Sequence, residues 1–248
     1  MKSLIIEAAK EAGKLVMKHY GKIRFVKTKE RKSYFTNVDL ESEKLIISLI
    51  RKKFPQHNII SEEHGNLGKK SDFTWYIDPV DGTHNYISNF PLFGVSIGLA
   101  YKNEVIMGVI NLPYFNEIYF AEKNKGAFLN GKRIKVSDKK ELKRAFVLAD
   151  LAIRYGGSEK IIGKLKNKVY DIRMLGCAVY GYTMVAKGNA DAYISPYTNS
   201  WDMAAGALIV EEAKGKVTDF KGNKWNRKQH SYVASNKKLH NGMLKSIR

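Results

Sequence analysis

Cysteine and long apolar segments are both scarce in this sequence. One cysteine occurs among 248 residues, which excludes an intrachain disulfide framework and is typical of proteins in a reducing compartment. No run of about 18 apolar residues could span a bilayer, and no N-terminal stretch resembles a signal peptide. We therefore expect a soluble, cytoplasmic protein that has no membrane contact.

Acidic residues are also few. Asp and Glu number 24 against 43 Lys and Arg, so the formal net charge is +19. Basic surfaces gain affinity for nucleic acids by releasing counterions, yet these lysines are spread over nearly every segment, without an Arg-rich recognition helix or an aromatic RNA-binding signature. The charge therefore favours a solvated surface over a nucleic-acid interface. A basic loop at residues 27–33 is the local exception, and it can attract a phosphorylated substrate.

The few acids gather where regular structure is predicted to stop. Residues 75–85 are WYIDPVDGTHN, so Asp78 and Asp81 stand three positions apart across a proline at the end of an apolar run. Oxygen-rich sites of this kind suit Mg²⁺. Gly82 and Thr83 then offer backbone N–H groups to a phosphate at the start of a helical turn. The alternative is a type I turn, in which Asp-Pro and Asp-Gly are common.

Two other segments add carboxylates. Glu62 and Glu63 follow the short apolar run 58–60, and Asp202 is predicted at the N-cap of an apolar helix. Two carboxylates about 4 Å apart repel by roughly 4 kcal/mol at an effective dielectric near 20. Such a cluster requires bound cations, and sites with two metal ions cleave phosphate esters without a nucleophilic side chain.

Together these motifs identify a resemblance. Residues 78–83 (DPVDGT) and 201–206 (WDMAAG), with Glu62 and Glu63 upstream, closely resemble the signatures of the inositol monophosphatase family. Relatives of that family include fructose-1,6-bisphosphatases and nucleotide phosphatases. The resemblance covers the chain from the first helix to near the C-terminus, and it implies a phosphomonoesterase that uses two to three Mg²⁺ ions per site.

The resemblance also implies roles for individual residues. The metal ligands would be Glu62, Asp78, the Val80 carbonyl, Asp81 and Asp202. The catalytic group would combine Glu62 and Asp81 with Thr83, which orients the attacking water, and with Asp39, the acidic partner of Thr83. Asp39 has an alternative role as a simple helix cap. Glu43, one turn later, is interpreted as a solvated helix residue.

A further set is expected to contact the substrate: Asp81, Gly82, Thr83, Arg173, Gly176, Ala178, Ser195 and Asp202. Arg173 is a candidate for holding a second phosphate, and the alternative is a pair with a surface acid. Inositol-specific family members tend to carry a glutamate seven residues before the Trp-Asp aspartate, where this chain has Ser195. This departure favours a broader specificity. Cys177 is predicted to be a small buried residue between a strand and a helix.

The expected activity is therefore hydrolysis of a small polyol or sugar phosphate, with inositol 1-phosphate as the first candidate. A fructose-1,6-bisphosphatase, an enzyme with both activities, and a phosphatase of 3′-phosphoadenosine 5′-phosphate are alternatives. A different class also stays open, because some bacterial relatives bind RNA or the transcription machinery. We expect a homodimer.

The fold class is predicted as α/β (α+β), in two halves. Residues 1–136 show helical periodicity at 3–20 and 40–54, followed by an antiparallel sheet from strands at 75–77, 93–101, 105–112, 117–122 and 127–134. Residues 137–248 alternate, with helices at 158–167, 177–187 and 203–213 and strands at 169–175, 190–195, 216–220 and 231–234. The halves fit the layered α-β-α-β-α sandwich of the sugar phosphatase fold that the resemblance implies, with the site at their interface.

Overall fold

The computed structural model describes residues 1–28, 34–150, 158–226 and 229–248. Its helices are Lys2–His19 (α1), Asn37–Lys53 (α2), Thr83–Ile87 (α3), Ser158–Leu165 (α4), Ala178–Ala186 (α5), Ser200–Glu212 (α6) and Lys237–Ile247 (α7). Its strands are Val26–Thr28 (β1), Tyr34–Thr36 (β2), Asn58–Ser61 (β3), Gly65–Asn66 (β4), Phe73–Asp81 (β5), Gly94–Tyr101 (β6), Glu104–Leu112 (β7), Glu117–Glu122 (β8), Gly126–Leu129 (β9), Lys132–Arg133 (β10), Phe146–Ala149 (β11), Asp171–Met174 (β12), Ala192–Ser195 (β13), Gly215–Asp219 (β14) and Tyr232–Asn236 (β15). No helix in these ranges is long and apolar enough to cross a membrane.

The N-terminal sheet has the strand order β10-β9-β8-β7-β6-β5-β3-β4. The strands predicted between residues 75 and 134 pair antiparallel, as expected. Strand β3, which was not among them, runs parallel to β5. Ser61 is in register with Ile77. Because parallel strands end at the same edge of a sheet, this register brings Glu62 and Asp78 side by side.

The C-terminal sheet has the order β12-β11-β13-β15-β14. Two of the elements around it, β11 and α7, were not predicted. Strand β11 is four residues long, which is too short to show a period. Helix α7 contains Gly242 and several polar residues, and it becomes helical by burying Leu239, Met243 and Ile247 against the sheet.

The layers confirm the predicted sandwich. Helices α1 and α2 cover one face of the N-terminal sheet, α5 and α6 lie between the two sheets, and α4 and α7 pack beyond the C-terminal sheet. The predicted boundary at residues 136 and 137 falls between β10 and β11. One apolar core nevertheless crosses it, since Tyr76 belongs to the same buried cluster as Tyr182 and Leu208.

Helix α6 lies unusually close to the N-terminal sheet. A Cβ atom on Gly108 of β7 would stand 2.8 Å from the Ala205 Cα, so glycine is required for this approach. At the start of the helix, the Ser96 hydroxyl donates to the Trp201 carbonyl at 3.3 Å. The first turn of α6, which contains Asp202, is thereby held over β5 and β6.

Candidate active site

Strand β5 carries the Asp-Pro-Val-Asp motif inside the sheet. The predicted strand stopped at Ile77, whereas the observed one continues to Asp81, with a register shift against β6 between Asp78 and Asp81. Proline has no N–H to donate to the ladder. It is therefore tolerated in a sheet at such an irregularity, where that hydrogen bond is not made. The Val80 N–H donates to Asp78 Oδ1 at 3.0 Å. The type I turn alternative is therefore wrong, and the break in the ladder sets the direction of both carboxylates.

Three carboxylates meet where β3, β5 and α6 converge. One oxygen atom from each of Glu62, Asp78 and Asp202 lies within 4.8 Å of the others. Burial, followed by the negative charges of Glu62 and Asp81, raises the pKa of Asp78 well above its usual range. Burial and the same two neighbours also raise the pKa of Asp202. A divalent cation among these hard oxygen donors would offset the repulsion, so the cluster could bind Mg²⁺.

Asp202 reaches this cluster from a position different from the predicted one. The N-cap of α6 is Asn199, and Asp202 is the third residue of the helix. Its Oδ2 accepts from the Asn199 N–H at 2.8 Å and from the Thr198 hydroxyl at 3.3 Å. The predicted N-cap assignment is thus wrong, but the carboxylate still caps the helix from inside its first turn, which fixes its orientation.

Asp81 is held by the beginning of α5. The Val179 N–H donates to Asp81 Oδ2 at 2.7 Å, and the Cys177 sulfur lies 3.2 Å from the same oxygen. Burial raises the pKa of Asp81 to about 7, and these two hydrogen bonds oppose the shift. Cys177 is buried between β12 and α5, as predicted. The preceding Gly176 has φ +63°, a conformation that favours glycine.

Thr83 and Asp39 are in contact. The Thr83 hydroxyl lies 2.9 Å from the Val80 carbonyl oxygen and 3.2 Å from Asp39 Oδ1. Asp39 Oδ2 accepts from the Thr36 N–H at 2.8 Å and from the Thr36 hydroxyl at 2.6 Å. Asp39 is thus the third residue of α2, where one oxygen completes a capping box with the N-cap Thr36, and its other oxygen contacts Thr83. Burial raises the pKa of Asp39 to about 6, although the Thr36 hydrogen bonds lower it.

The remaining predicted substrate contacts fall into two groups. Gly82, with φ +80°, precedes α3, while Gly176 and Ala178 flank Cys177 beside Asp81. Ser195 and Arg173 form the second group and lie on strands β13 and β12 of the C-terminal sheet. The buried Ser195 hydroxyl donates to the Tyr197 carbonyl at 3.0 Å.

Arg173 lies on β12, an edge strand of the C-terminal sheet. Its side chain is 56% exposed and its guanidinium pairs with the Asp171 carboxylate. The structure thus shows the alternative in which Arg173 pairs with a surface acid. Most of the basic loop 27–33 cannot be compared, because residues 29–33 lie outside the described part of the chain.

Sequence reasoning missed two acidic residues beside this site. Asp150, at the end of β11, accepts from the Tyr193 hydroxyl and the Gly176 N–H, and burial raises its pKa. Glu43 was interpreted as solvated, and this is wrong, because its carboxylate is fully buried against the turn after β3. The available signal for Glu43 was its position one turn after Asp39, on the same face of α2.

The chain is similar to known proteins along its whole length. A family model described as the inositol monophosphatase family matches residues 1–248. The fructose-1,6-bisphosphatase/inositol-1-monophosphatase of Thermotoga maritima is 35% identical over 243 residues, covering 98% of this chain and 93% of that protein. Nus factor SuhB of Escherichia coli strain K12 is 37% identical over 255 residues, covering 100% and 96%. The crystal structure of the extragenic suppressor protein SuhB from Bartonella henselae has a TM-score of 0.95 at 29% identity, covering 100% and 98%.

Proposed function

Because the chain belongs to the inositol monophosphatase family, we propose that it is a Mg²⁺-dependent phosphomonoesterase of small polyol and sugar phosphates. Inositol 1-phosphate is the first candidate substrate, and fructose 1,6-bisphosphate is the second candidate. The observation that carries the proposal is the cluster of Glu62, Asp78 and Asp202, in which Asp78 is buried and the other two are half-buried, with Asp81 beside it. A whole-length relative named for both activities supports the pair of substrates.

The residues that would hold two to three Mg²⁺ ions are Glu62, Asp78, Asp81, Asp202 and the Val80 carbonyl. Bound Mg²⁺ supplies charge at the phosphate oxygens and the leaving oxygen, and it lowers the pKa of water. The protein contributes a rigid frame for these ligands. The Val179 N–H holds Asp81, and the Asn199 N–H holds Asp202, so each carboxylate is oriented before metal binds.

Thr83 and Asp39 would accept the proton of the attacking water. The Thr83 hydroxyl has two acceptors in reach, the Val80 carbonyl at 2.9 Å and Asp39 Oδ1 at 3.2 Å. With the Val80 carbonyl bound to metal, the hydroxyl would donate to Asp39, and its lone pairs would be available to accept from water. Asp39, with a pKa of about 6, can take up a proton through Thr83 near neutral pH. The N–H groups of Gly82 and Thr83 are proposed to bind phosphate oxygens at the start of α3.

Ser195 supports a broad specificity. Its hydroxyl is engaged with the Tyr197 carbonyl, so it offers less to ring hydroxyls than a glutamate would at that position. Gly176 and Ala178 are proposed to line the substrate beside Asp81. Arg173 can hold a second phosphate only if its guanidinium releases the Asp171 carboxylate and binds the phosphate instead.

The test is phosphate release from inositol 1-phosphate, fructose 1,6-bisphosphate and 3′-phosphoadenosine 5′-phosphate, with Mg²⁺ or with EDTA. We expect release from the first two, only with Mg²⁺, and loss of turnover in Asp78→Asn. The matched control is Asp72→Asn, since the Asp72 side chain is 61% exposed ahead of the same strand. Wild-type activity in Asp78→Asn, or no release from any of the three esters, would contradict the proposal.

A second candidate role is binding to RNA or to the transcription machinery. The observation that favours it is the whole-length similarity to a protein named Nus factor SuhB, and the +19 net charge is compatible with it. Salt-dependent RNA retention by Asp78→Asn would support this role independently of catalysis.

The homodimer also stays a prediction, which analytical ultracentrifugation tests.

A further inference from the structure

We infer that Glu43 is a positioning residue that holds the turn bearing Glu62 in place for metal binding. The inference rests on the proposed function, because it takes Glu62 to be a metal ligand. Glu43 lies on α2 and has no exposed surface, whereas Glu62 follows β3 on the sheet below. The two residues therefore come from different elements, and Glu43 acts through the backbone around Glu62.

The Glu43 carboxylate accepts hydrogen bonds from both sides of Glu62. Its Oε1 accepts from the Ser61 hydroxyl at 2.7 Å, from the His64 N–H at 3.0 Å and from His64 Nδ1 at 2.6 Å. Its Oε2 accepts from the Glu63 N–H at 2.9 Å. The contact with Nδ1 requires the His64 tautomer that carries a hydrogen on that nitrogen, or the protonated ring. Residues before and after Glu62 are thus bound to one buried group.

The backbone of Glu62 is also tied to β5. Its N–H donates to the Ile77 carbonyl at 3.1 Å, directly before Asp78. With Glu43 on one side and Ile77 on the other, the turn has little freedom to rotate. These contacts fix the backbone from which the Glu62 side chain extends toward Asp78.

Helix α2 makes two further contacts of the same kind. Asp39 contacts Thr83, and the Ser42 hydroxyl donates to the Pro79 carbonyl at 3.1 Å. Residues three and four positions apart lie on one helical face. Because Asp39, Ser42 and Glu43 share a rigid helix, α2 sets the spacing between Thr83, the β5 motif and the Glu62 turn.

A carboxylate suits this position because each of its oxygens faces a backbone N–H that can only donate, that of His64 at Oε1 and that of Glu63 at Oε2. Glutamine has one acceptor oxygen and one NH₂ group. In Glu43→Gln the NH₂ group would therefore face either the Glu63 N–H or the donors from Ser61 and His64. At least one hydrogen bond is lost and two donors oppose each other. Substitutions of residues that orient metal ligands typically weaken metal affinity by about 10- to 100-fold.

The experiment measures Mg²⁺ binding directly, by calorimetry on metal-free protein, in wild type, Glu43→Gln and Glu41→Gln. Glu41 is the matched control, because it lies on the same helix with its side chain 39% exposed. We expect the Kd for Mg²⁺ to rise about 10- to 100-fold in Glu43→Gln and to stay unchanged in Glu41→Gln. Turnover of Glu43→Gln should recover when Mg²⁺ is raised to saturation, because the ligands themselves are intact.

A wild-type Kd in folded Glu43→Gln overturns the inference, even if its thermal stability falls, since Glu43 would then be structural only. If Glu43→Gln does not fold, Ser61→Ala removes one of the donors and should raise the Kd roughly fivefold, as expected for one hydrogen bond. An unchanged Kd in that variant also overturns the inference. Glu62→Gln separates the two proposals, because unchanged Mg²⁺ binding there would refute the metal assignment itself.

Discussion

His240 should make the stability of this protein sensitive to mild acid. The residue is fully buried on α7, with Nε2 2.8 Å from the Thr218 hydroxyl oxygen and Nδ1 2.7 Å from the Ser235 hydroxyl oxygen. A neutral imidazole donates from one ring nitrogen and accepts at the other, which suits two hydroxyl partners. Burial, together with the nearby positive charge of Lys216, lowers the pKa of His240 to about 4.

The sign of the effect follows from proton linkage. In the unfolded chain the histidine pKa is about 6.5, so below that pH the unfolded state binds a proton that the folded state excludes. The contribution of His240 is therefore fully present above the unfolded pKa and is lost as pH falls. Between pH 7 and pH 5 the loss amounts to about 2 kcal/mol, and it approaches about 3.4 kcal/mol below pH 4.

The assay is urea unfolding at pH 7 and at pH 5, with EDTA present, for wild type and His240→Gln. Carboxylates titrate in both proteins, so their effect cancels in the comparison. Glutamine does not titrate, and we expect the decrease in unfolding free energy between the two pH values to be about 2 kcal/mol smaller in the variant. Equal decreases in the two proteins would show that His240 is not excluded from protonation in the folded state.

Three further predictions concern catalysis. Asp81→Asn should abolish most Mg²⁺-dependent turnover while circular dichroism stays native, because it removes a proposed ligand and relieves repulsion; near-normal activity would refute the assignment. Thr83→Ala should lower kcat by roughly 10²-fold with little change in KM, and a change confined to KM would make Thr83 a phosphate contact only. Arg173→Ala should lower kcat/KM for fructose 1,6-bisphosphate about tenfold or more, and less for inositol 1-phosphate; equal effects would exclude Arg173 from binding a second phosphate.

Local sequence was sufficient for the features that depend on neighbours in the chain. The apolar face of α1 repeats with the helical period, and its predicted range of 3–20 agrees with Lys2–His19. Strand β8 was predicted at its observed bounds, Glu117–Glu122, because an apolar run ends there at the asparagine-containing turn 124–126. The acidic motifs were recognised for a similar reason, since Asp78 and Asp81 are close in sequence and unusual in so basic a chain.

Features that depend on distant residues were decided only by the tertiary structure. Glu43 is indistinguishable from a surface glutamate within α2, and it becomes buried because Ser61, Glu63 and His64 converge on it from β3 and the following turn. Arg173 pairs with Asp171 on the same edge strand. The sequence did not indicate whether Arg173 pairs with a surface acid or with a phosphate.

The proximity of Glu62 to Asp78 has the same origin. It arises from the parallel register of β3 with β5, and the addition of Asp202 requires α6 to approach the sheet over Gly98 and Gly108. Sequence therefore determined which carboxylates could form a metal site, because their types and local spacing are read along the chain. Only the folded structure determined what holds them together, because hydrogen bonds and repulsion between carboxylates depend on distances that arise when separate elements pack.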